Sequence, residues 1–177
     1  MGDANSRGLS ADRVRLTERL RLEPIRRDHA DELWRLHQDE AVAAYWGPWS
    51  REDAARFAQS SEQAWLSQGV SKWIAYDRVD GGLVGRGGLS RAMVDGDVRL
   101  EVGWTLREGC RGHGFATEIG RAGLAFAFDE LDADEVVAFT ETDNMRSRAV
   151  MERLGMGDPR EISHQAAPFV LYTITRH

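Results

Sequence analysis

The stretch Arg107-Glu108-Gly109-Cys110-Arg111-Gly112-His113-Gly114 constrains this chain more than any other part of it. It follows an alternating apolar run and leads into a segment where Ala116, Ile119, Ala122, Gly123, Phe126 and Ala127 recur at helical spacing. Strand, glycine-rich loop and helix together form a recipe for holding phosphate. Small residues let the backbone approach the anion, successive N–H groups point at it, and the positive end of the helix dipole adds attraction. Arg107, Arg111 and His113 suit that use, although the same glycines also close an ordinary strand-to-helix turn. Two familiar phosphate devices are excluded. The loop lacks the Gly-Lys-Ser/Thr ending of a nucleotide-hydrolysing loop, with the one lysine of the chain, Lys72, far away. It also lacks the three-glycine dinucleotide fingerprint with a second βα unit behind it.

Around that junction the pattern reads as a single α/β unit. Arg13 to Leu16 and Arg19 to Leu22 alternate as strands before Pro24. Asp28 offers a cap to a helix whose inner face carries Ala30, Leu33, Trp34, Leu36 and His37. Ser50 and Asp53 form a capping box for a second helix that runs to Gly69. Between these helices Tyr45-Trp46-Gly47-Pro48-Trp49 reads as the least regular segment. A meander follows, with strands at Lys72–Asp77, Leu83–Leu89 and Val98–Leu106 and turns at Asp80-Gly81-Gly82 and Asp95-Gly96-Asp97. In the last of these strands Leu100, Val102 and Trp104 share one face, so Glu101 points away from the apolar row with Arg99 and Gly103. Glu135–Thr140 reads as a strand, Met145–Leu154 as a helix stopped by Gly155, and Phe169–Thr175 as a closing strand.

Composition narrows the class of function. With 23 basic against 29 acidic residues, the net charge of -6 argues against a dedicated nucleic-acid binder. No apolar run approaches the roughly 20 residues that cross a bilayer, and Met1 to Arg13 lacks the apolar centre of a signal peptide, which predicts a cytoplasmic protein without membrane contact. Met1-Gly2-Asp3-Ala4-Asn5-Ser6 fits the loose myristoylation template, and a polar leader is the plainer reading. Residues 1–12 are therefore expected as a flexible leader and 13–177 as one domain. A lone Cys110 cannot form an internal bridge, and no base stands at a spacing that would make it a nucleophile, so it is expected to pack under the loop. His29, His37, His113, His164 and His177 show no metal-ligand spacing, and no metal is expected.

Arg111-Gly112-His113-Gly114-Phe115-Ala116 resembles the Arg/Gln-x-x-Gly-x-Gly/Ala signature of the GNAT (Gcn5-related) N-acetyltransferases. Glu101-Val102-Gly103-Trp104-Thr105-Leu106, the Asn144-x-x-Ser147 pair, Arg153-Leu154-Gly155-Met156 and the opening Thr17 to Leu22 are similar to the RimJ/RimL-like branch, over about residues 13 to 176. The resemblance implies a mixed, mostly antiparallel, splayed sheet flanked by helices, with acetyl-CoA as donor and a primary amine as acceptor. It implies the N-terminal amine of a protein or peptide, with a small-molecule amine such as an aminoglycoside or polyamine, a different acyl group, or a non-catalytic acyl-CoA sensor as alternatives. It further implies a monomer or homodimer.

On that resemblance the coenzyme is held by Trp104, Thr105, Leu106, Arg111, Gly112, His113, Gly114, Phe115, Ala116, Thr117 and Asn144. Donors near Val102 or Gly103 polarise the thioester carbonyl. Glu101 is the candidate base that frees the amine, and Ser147 the hydroxyl beside the leaving thiolate. Each has a plainer alternative: Glu101 as a strand carboxylate paired with Arg99 or Arg86, and Asn144 with Ser147 as an ordinary helix cap. Acceptor recognition is expected from Tyr45 to Trp49, the loop after Leu89 and the segment His164 to Phe169.

Overall fold

The computed structural model describes residues 13–176; the leader with its myristoylation template, and His177, lie outside them. Eight strands form one sheet in the order β1-β2-β3-β4-β5-β6-β8-β7. They are β1 (Arg15–Leu16), β2 (Leu20–Pro24), β3 (Lys72–Asp77), β4 (Leu83–Val94), β5 (Asp97–Leu106), β6 (Glu135–Glu141), β7 (Gly157–His164) and β8 (Ala167–Thr175). Every neighbouring pair is antiparallel except β5 and β6, which run parallel. That exception arises because helix α4 (Phe115–Ala125) carries the chain across the sheet between them, as a parallel neighbour requires.

Period-two burial assigns the two faces. Leu20, Leu22, Trp73, Ala75, Val84, Val102 and Leu106 join Ile119 and Leu124 of α4, Val150 and Met151 of α5 (Met145–Arg153) and its C-cap Leu154 in the larger core. Ile74 and Tyr76 turn the other way, against Leu33 of α1 (Ala30–Leu36) and Ala54 and Ala58 of α3 (Arg51–Gln68). The capping box of α3 is present: the Asp53 amide donates to Ser50 Oγ at 3.0 Å and the Ser50 amide to Asp53 Oδ2 at 2.8 Å. Gly69 ends that helix in the left-handed region, at φ 71°.

Four local expectations need correction. Asp28 does not cap α1; it pairs with Arg26, and a 3-10 turn at Arg27–His29 comes first, with the Arg26 amide donating to His29 Nδ1 at 3.0 Å. The segment before Gly47 is helical, α2 (Glu40–Trp46), because Asp39 Oδ1 accepts from the Ala41 and Val42 amides. No loop follows Leu89, since β4 pairs with β5 as far as Val94↔Asp97. Lastly, Gly157–His164 forms an edge strand that the interrupted alternation around Pro159 conceals.

Candidate active site

The parallel strands meet at a single register pair, Glu101↔Val137. Beyond it Val102 to Leu106 and Ala138 to Glu141 run on without pairing to each other, although β5 stays bonded to β4 and β6 to β8. The sheet therefore opens as a wedge with Glu101 at its apex. Before the apex the Arg99–Glu135 ion pair ties the two strands together. Unpaired strand edges carry N–H and C=O groups that need partners, which suits an extended, amide-bearing ligand. The side chains of Trp104 and Leu106 pack into the core, so these two residues offer the wedge their backbone.

The open end of the wedge is the glycine-rich loop. Gly112 and Gly114 have φ of 77° and 83°, a conformation that L side chains rarely adopt, and a Cβ on Gly112 would meet nothing within 4 Å. Among the described residues no side chain caps α4, and its first turn begins with the Glu118 amide bonded to the Gly114 carbonyl at 3.0 Å. The amides of Phe115, Ala116 and Thr117 thus lie in the positions that a helix leaves without internal partners. Arg111 braces the loop, donating to the carbonyls of Leu106 at 3.4 Å and Ala41 at 3.2 Å. Arg19 holds the His113 carbonyl at 2.7 Å and Arg153 donates to Thr117 Oγ1 at 3.3 Å. Cys110 packs against the core beside this loop, where burial pushes its thiol pKa up. Such a thiol is a poor nucleophile at neutral pH.

At the apex, Glu101 pairs with neither Arg99 nor Arg86. Its Oε2 accepts from Lys72 Nζ at 2.7 Å and from Ser90 Oγ at 2.9 Å. Lys72 also donates to the Gly88 carbonyl at 2.9 Å, and burial holds its pKa below the ordinary lysine value against the opposing pull of Glu101. Among the described residues nothing hydrogen-bonds Glu101 Oε1, which lies 2.5 Å from where a Cβ on Gly103 would stand. Glycine at 103 is what lets the carboxylate fold back over the strand.

Asn144 and Ser147 meet at the β6 side of the mouth. Asn144 Oδ1 accepts from the Ser147 amide at 3.2 Å, the helix cap of α5, while Nδ2 donates to Ser147 Oγ at 3.0 Å and Thr140 Oγ1 at 2.9 Å. The capping role and a polar cluster therefore coexist in one side chain. Tyr45 joins the cluster, in contact with Asn144 Nδ2 and 3.2 Å from Thr140 Oγ1, and burial raises its phenol pKa, so it stays protonated. Its neighbour Trp46 donates from Nε1 to Thr105 Oγ1 at 3.2 Å. Helix α2 consequently spans the wedge from β6 to β5. Its cap Asp39 also accepts from the Glu108 amide at 3.1 Å, which fastens it to the loop. Among the described residues no hydrogen bond joins Glu101 to Asn144 or Ser147. His164 and Phe169 sit in the β7–β8 hairpin packed on Phe139.

Beside the wedge an open cavity of about 610 Å³ is lined by Trp46, Pro48, Trp49, Asp53, Arg56, Phe57 and Ser60. Against three of its rings lies the buried Arg86, its guanidinium carbon 5.1 Å from the centre of Trp46, 5.5 Å from Trp49 and 4.7 Å from Phe57. Sequence reading missed Lys72, Thr140 and His37 and gave Arg86 only a pairing role. The signal for Arg86 was present: a charged residue amid Val84-Gly85-Arg86-Gly87-Gly88-Leu89, where the pattern is otherwise that of a buried strand.

Among the described residues, no cluster of three or more His, Cys, Asp or Glu could hold a metal ion, and no helix is long and apolar enough to cross a membrane. Residues 19–157 match the family described as acetyltransferase (GNAT) domain. The uncharacterized Bacillus subtilis protein YkkB is 27% identical over 159 residues, covering 89% of this chain and 92% of that one. An Aspergillus fumigatus FsC-acetyl coenzyme A-N(2)-transacetylase is 28% identical over 155 residues, 79% of this chain and 63% of that enzyme. Among solved structures, a ribosomal-protein-S5-alanine acetyltransferase from Vibrio fischeri superposes with a TM-score of 0.76 at 12% identity, over 92% of this chain and 96% of the other. An aminoglycoside acetyltransferase in complex with coenzyme A gives 0.75 at 17% identity, over 89% and 95%. At these identities the two likenesses establish a shared fold.

Proposed function

Since the chain belongs to the GNAT family of acetyltransferases, we propose that it moves an acetyl group from acetyl-CoA to the α-amino group of a protein or peptide, in the manner of the RimJ/RimL-like branch and in the cytoplasm. The observation that carries the reading is the wedge itself: one register pair at Glu101↔Val137, then free strand edges leading to the glycine-rich loop. These residues fit the coenzyme. The amides from Gly112 to Thr117 suit its pyrophosphate, that of Arg111 being taken by the Glu108 carbonyl at 3.1 Å, and the edges from Val102 to Leu106 suit its pantetheine amides. When bound, acetyl-CoA supplies an activated acetyl thioester.

The chain's own groups then have distinct tasks. Glu101 Oε1 takes the proton that an ammonium acceptor must lose before its nitrogen attacks; Lys72 and Ser90 occupy Oε2 and fix the direction of the other oxygen. Unpaired donors near Val102 and Gly103 stabilise the charge that develops on the carbonyl oxygen. Ser147 accepts from Asn144, which leaves its own O–H free to donate toward the departing sulfur. The wedge apex and the loop hold donor and acceptor in line, so no acyl-enzyme is needed.

A small-molecule amine is the second reading, favoured by the aromatic cavity beside the wedge and by relatives that carry N(2)-transacetylase and aminoglycoside acetyltransferase names. The test is thiol release from acetyl-CoA over a panel of N-terminal peptides, polyamines and aminoglycosides. Turnover is expected with peptides, and Glu101→Gln is expected to slow it about a hundredfold or more at pH 7 while coenzyme affinity holds. That deficit should shrink toward pH 10 as free amine becomes abundant. Tight coenzyme binding without turnover on any amine would instead point to an acyl-CoA sensor.

A further inference from the structure

On the face of the sheet that carries Glu101, Arg99 pairs with Glu135 and Arg21 with Glu23. Lys72 and Glu101 pair at 2.7 Å and cancel. Arg86, 5% exposed, has no carboxylate within ion-pair distance among the described residues. Among the described residues its Nε and Nη2 reach only His37 Nε2, both at 3.4 Å, and the rings of Trp46, Trp49 and Phe57 lie against it. His37 brings no charge of its own, since burial first and then the Arg86 cation pull its pKa down to about 3. Arg86 is held by burial at about 10, with Glu101 opposing, and so stays cationic at neutral pH. A buried guanidinium met only by a neutral ring and aromatic faces carries a desolvation cost that an anion would offset.

The same pair lacks a hydrogen-bond acceptor. When His37 Nε2 accepts from Arg86, the ring hydrogen sits on Nδ1, and His37 Nδ1 is buried without a partner among the described residues. Trp49 stacks on the His37 ring, centroids 3.4 Å apart and nearly parallel, which fixes it in place. Along the sheet, Arg86 faces Thr105 and Glu101 faces Ser90, and the glycine pair Gly88↔Gly103 separates these two rungs. Strands β4 and β5 grow no side chain there, and the Glu101 carboxylate and the Lys72 ammonium of β3 lie over Gly103, on the side of Glu101. Trp46, which covers Arg86 on the cavity side, is 54% exposed, and one side-chain hydrogen bond holds it.

We propose that the acceptor is a primary amine that also bears a carboxylate, with its nitrogen directed to Glu101 and its carboxylate to Arg86. This rests on the acetyl-transfer reading and narrows its substrate class. The apolar part of such a molecule meets the aromatic wall of Trp46, Trp49 and Phe57. A free amino acid and a peptide with an acidic residue near its N-terminus share this chemistry, whereas a polyamine or aminoglycoside brings further cations and no anion for Arg86.

The test compares matched pairs that differ only in the carboxylate: phenylalanine with phenylalaninamide, and Ala-Asp with Ala-Asn hexapeptides, alongside spermidine and kanamycin. Both kcat/KM and, by calorimetry with coenzyme A present, Kd are read. Wild type is expected to favour the carboxylate member by about tenfold or more in at least one pair, a factor of ten being 1.4 kcal/mol. Which pair responds distinguishes the amino acid from the acidic peptide. In Arg86→Gln the ratio falls to near one, and in Arg86→Lys, which keeps the charge, part of it survives. A wild-type ratio near one in both pairs, a ratio unmoved in Arg86→Gln, or spermidine or kanamycin as the better acceptor overturns the proposal. Because Kd is read without turnover, failure of the transfer reading, seen as no thiol release from any amine, is told apart from failure of the Arg86 assignment.

Discussion

At the scale of single residues, the site depends on side chains made to share. Glu101 gives one oxygen to Lys72 and Ser90 and keeps the other open, and Gly103 provides the room in which that carboxylate turns. His37 is the clearest titration on the same face. Unfolded, it takes a proton near pH 6.5; folded, it resists until about pH 3. Between those values the unfolded chain binds the extra proton, so stability falls as pH falls, by up to about 1.4 kcal/mol per pH unit from this group. His37→Gln removes the group, and chemical denaturation at pH 6, 5 and 4 should show a correspondingly shallower loss than wild type. An equal slope in the two proteins would mean that His37 titrates normally in the fold.

At the scale of elements, α2 is the piece that joins the site together: Tyr45 reaches β6, Trp46 reaches β5, and Asp39 and Ala41 reach the loop. Asp39→Ala withdraws the cap from two helix amides and from Glu108. It is expected to cost about 1 kcal/mol of stability and to speed hydrogen exchange at Ala41 and Val42. Unchanged exchange there would show that α2 is held by packing alone. This helix was also the least legible element, because seven residues ending in aromatics and Gly47-Pro48 give too short a stretch for helical period to register. By contrast α3 and α5 were legible through Ser50, Asp53, Gly69 and Asn144, whose capping is local chemistry. The glycine-rich loop was legible for the same reason. Pairings between distant segments were not: Lys72 lies 29 positions from Glu101 and His37 lies 49 from Arg86, and alternation fixes a face without naming the neighbour across it.

At the scale of the whole molecule, the account turns on a sheet that is closed everywhere except between β5 and β6, with one core under α4 and α5 and another under α1 and α3. The crossover through α4 makes those two strands parallel, the single register pair lets them diverge, and the loop places free amides where they part. The most direct measurement is amide hydrogen exchange with and without acetyl-CoA. Protection is expected to concentrate at Gly112 to Thr117 and along the facing edges Val102 to Leu106 and Ala138 to Thr140. Saturating acetyl-CoA that leaves those amides unprotected, or protects only the outer strands β1, β2, β7 and β8, would contradict the wedge as the coenzyme site.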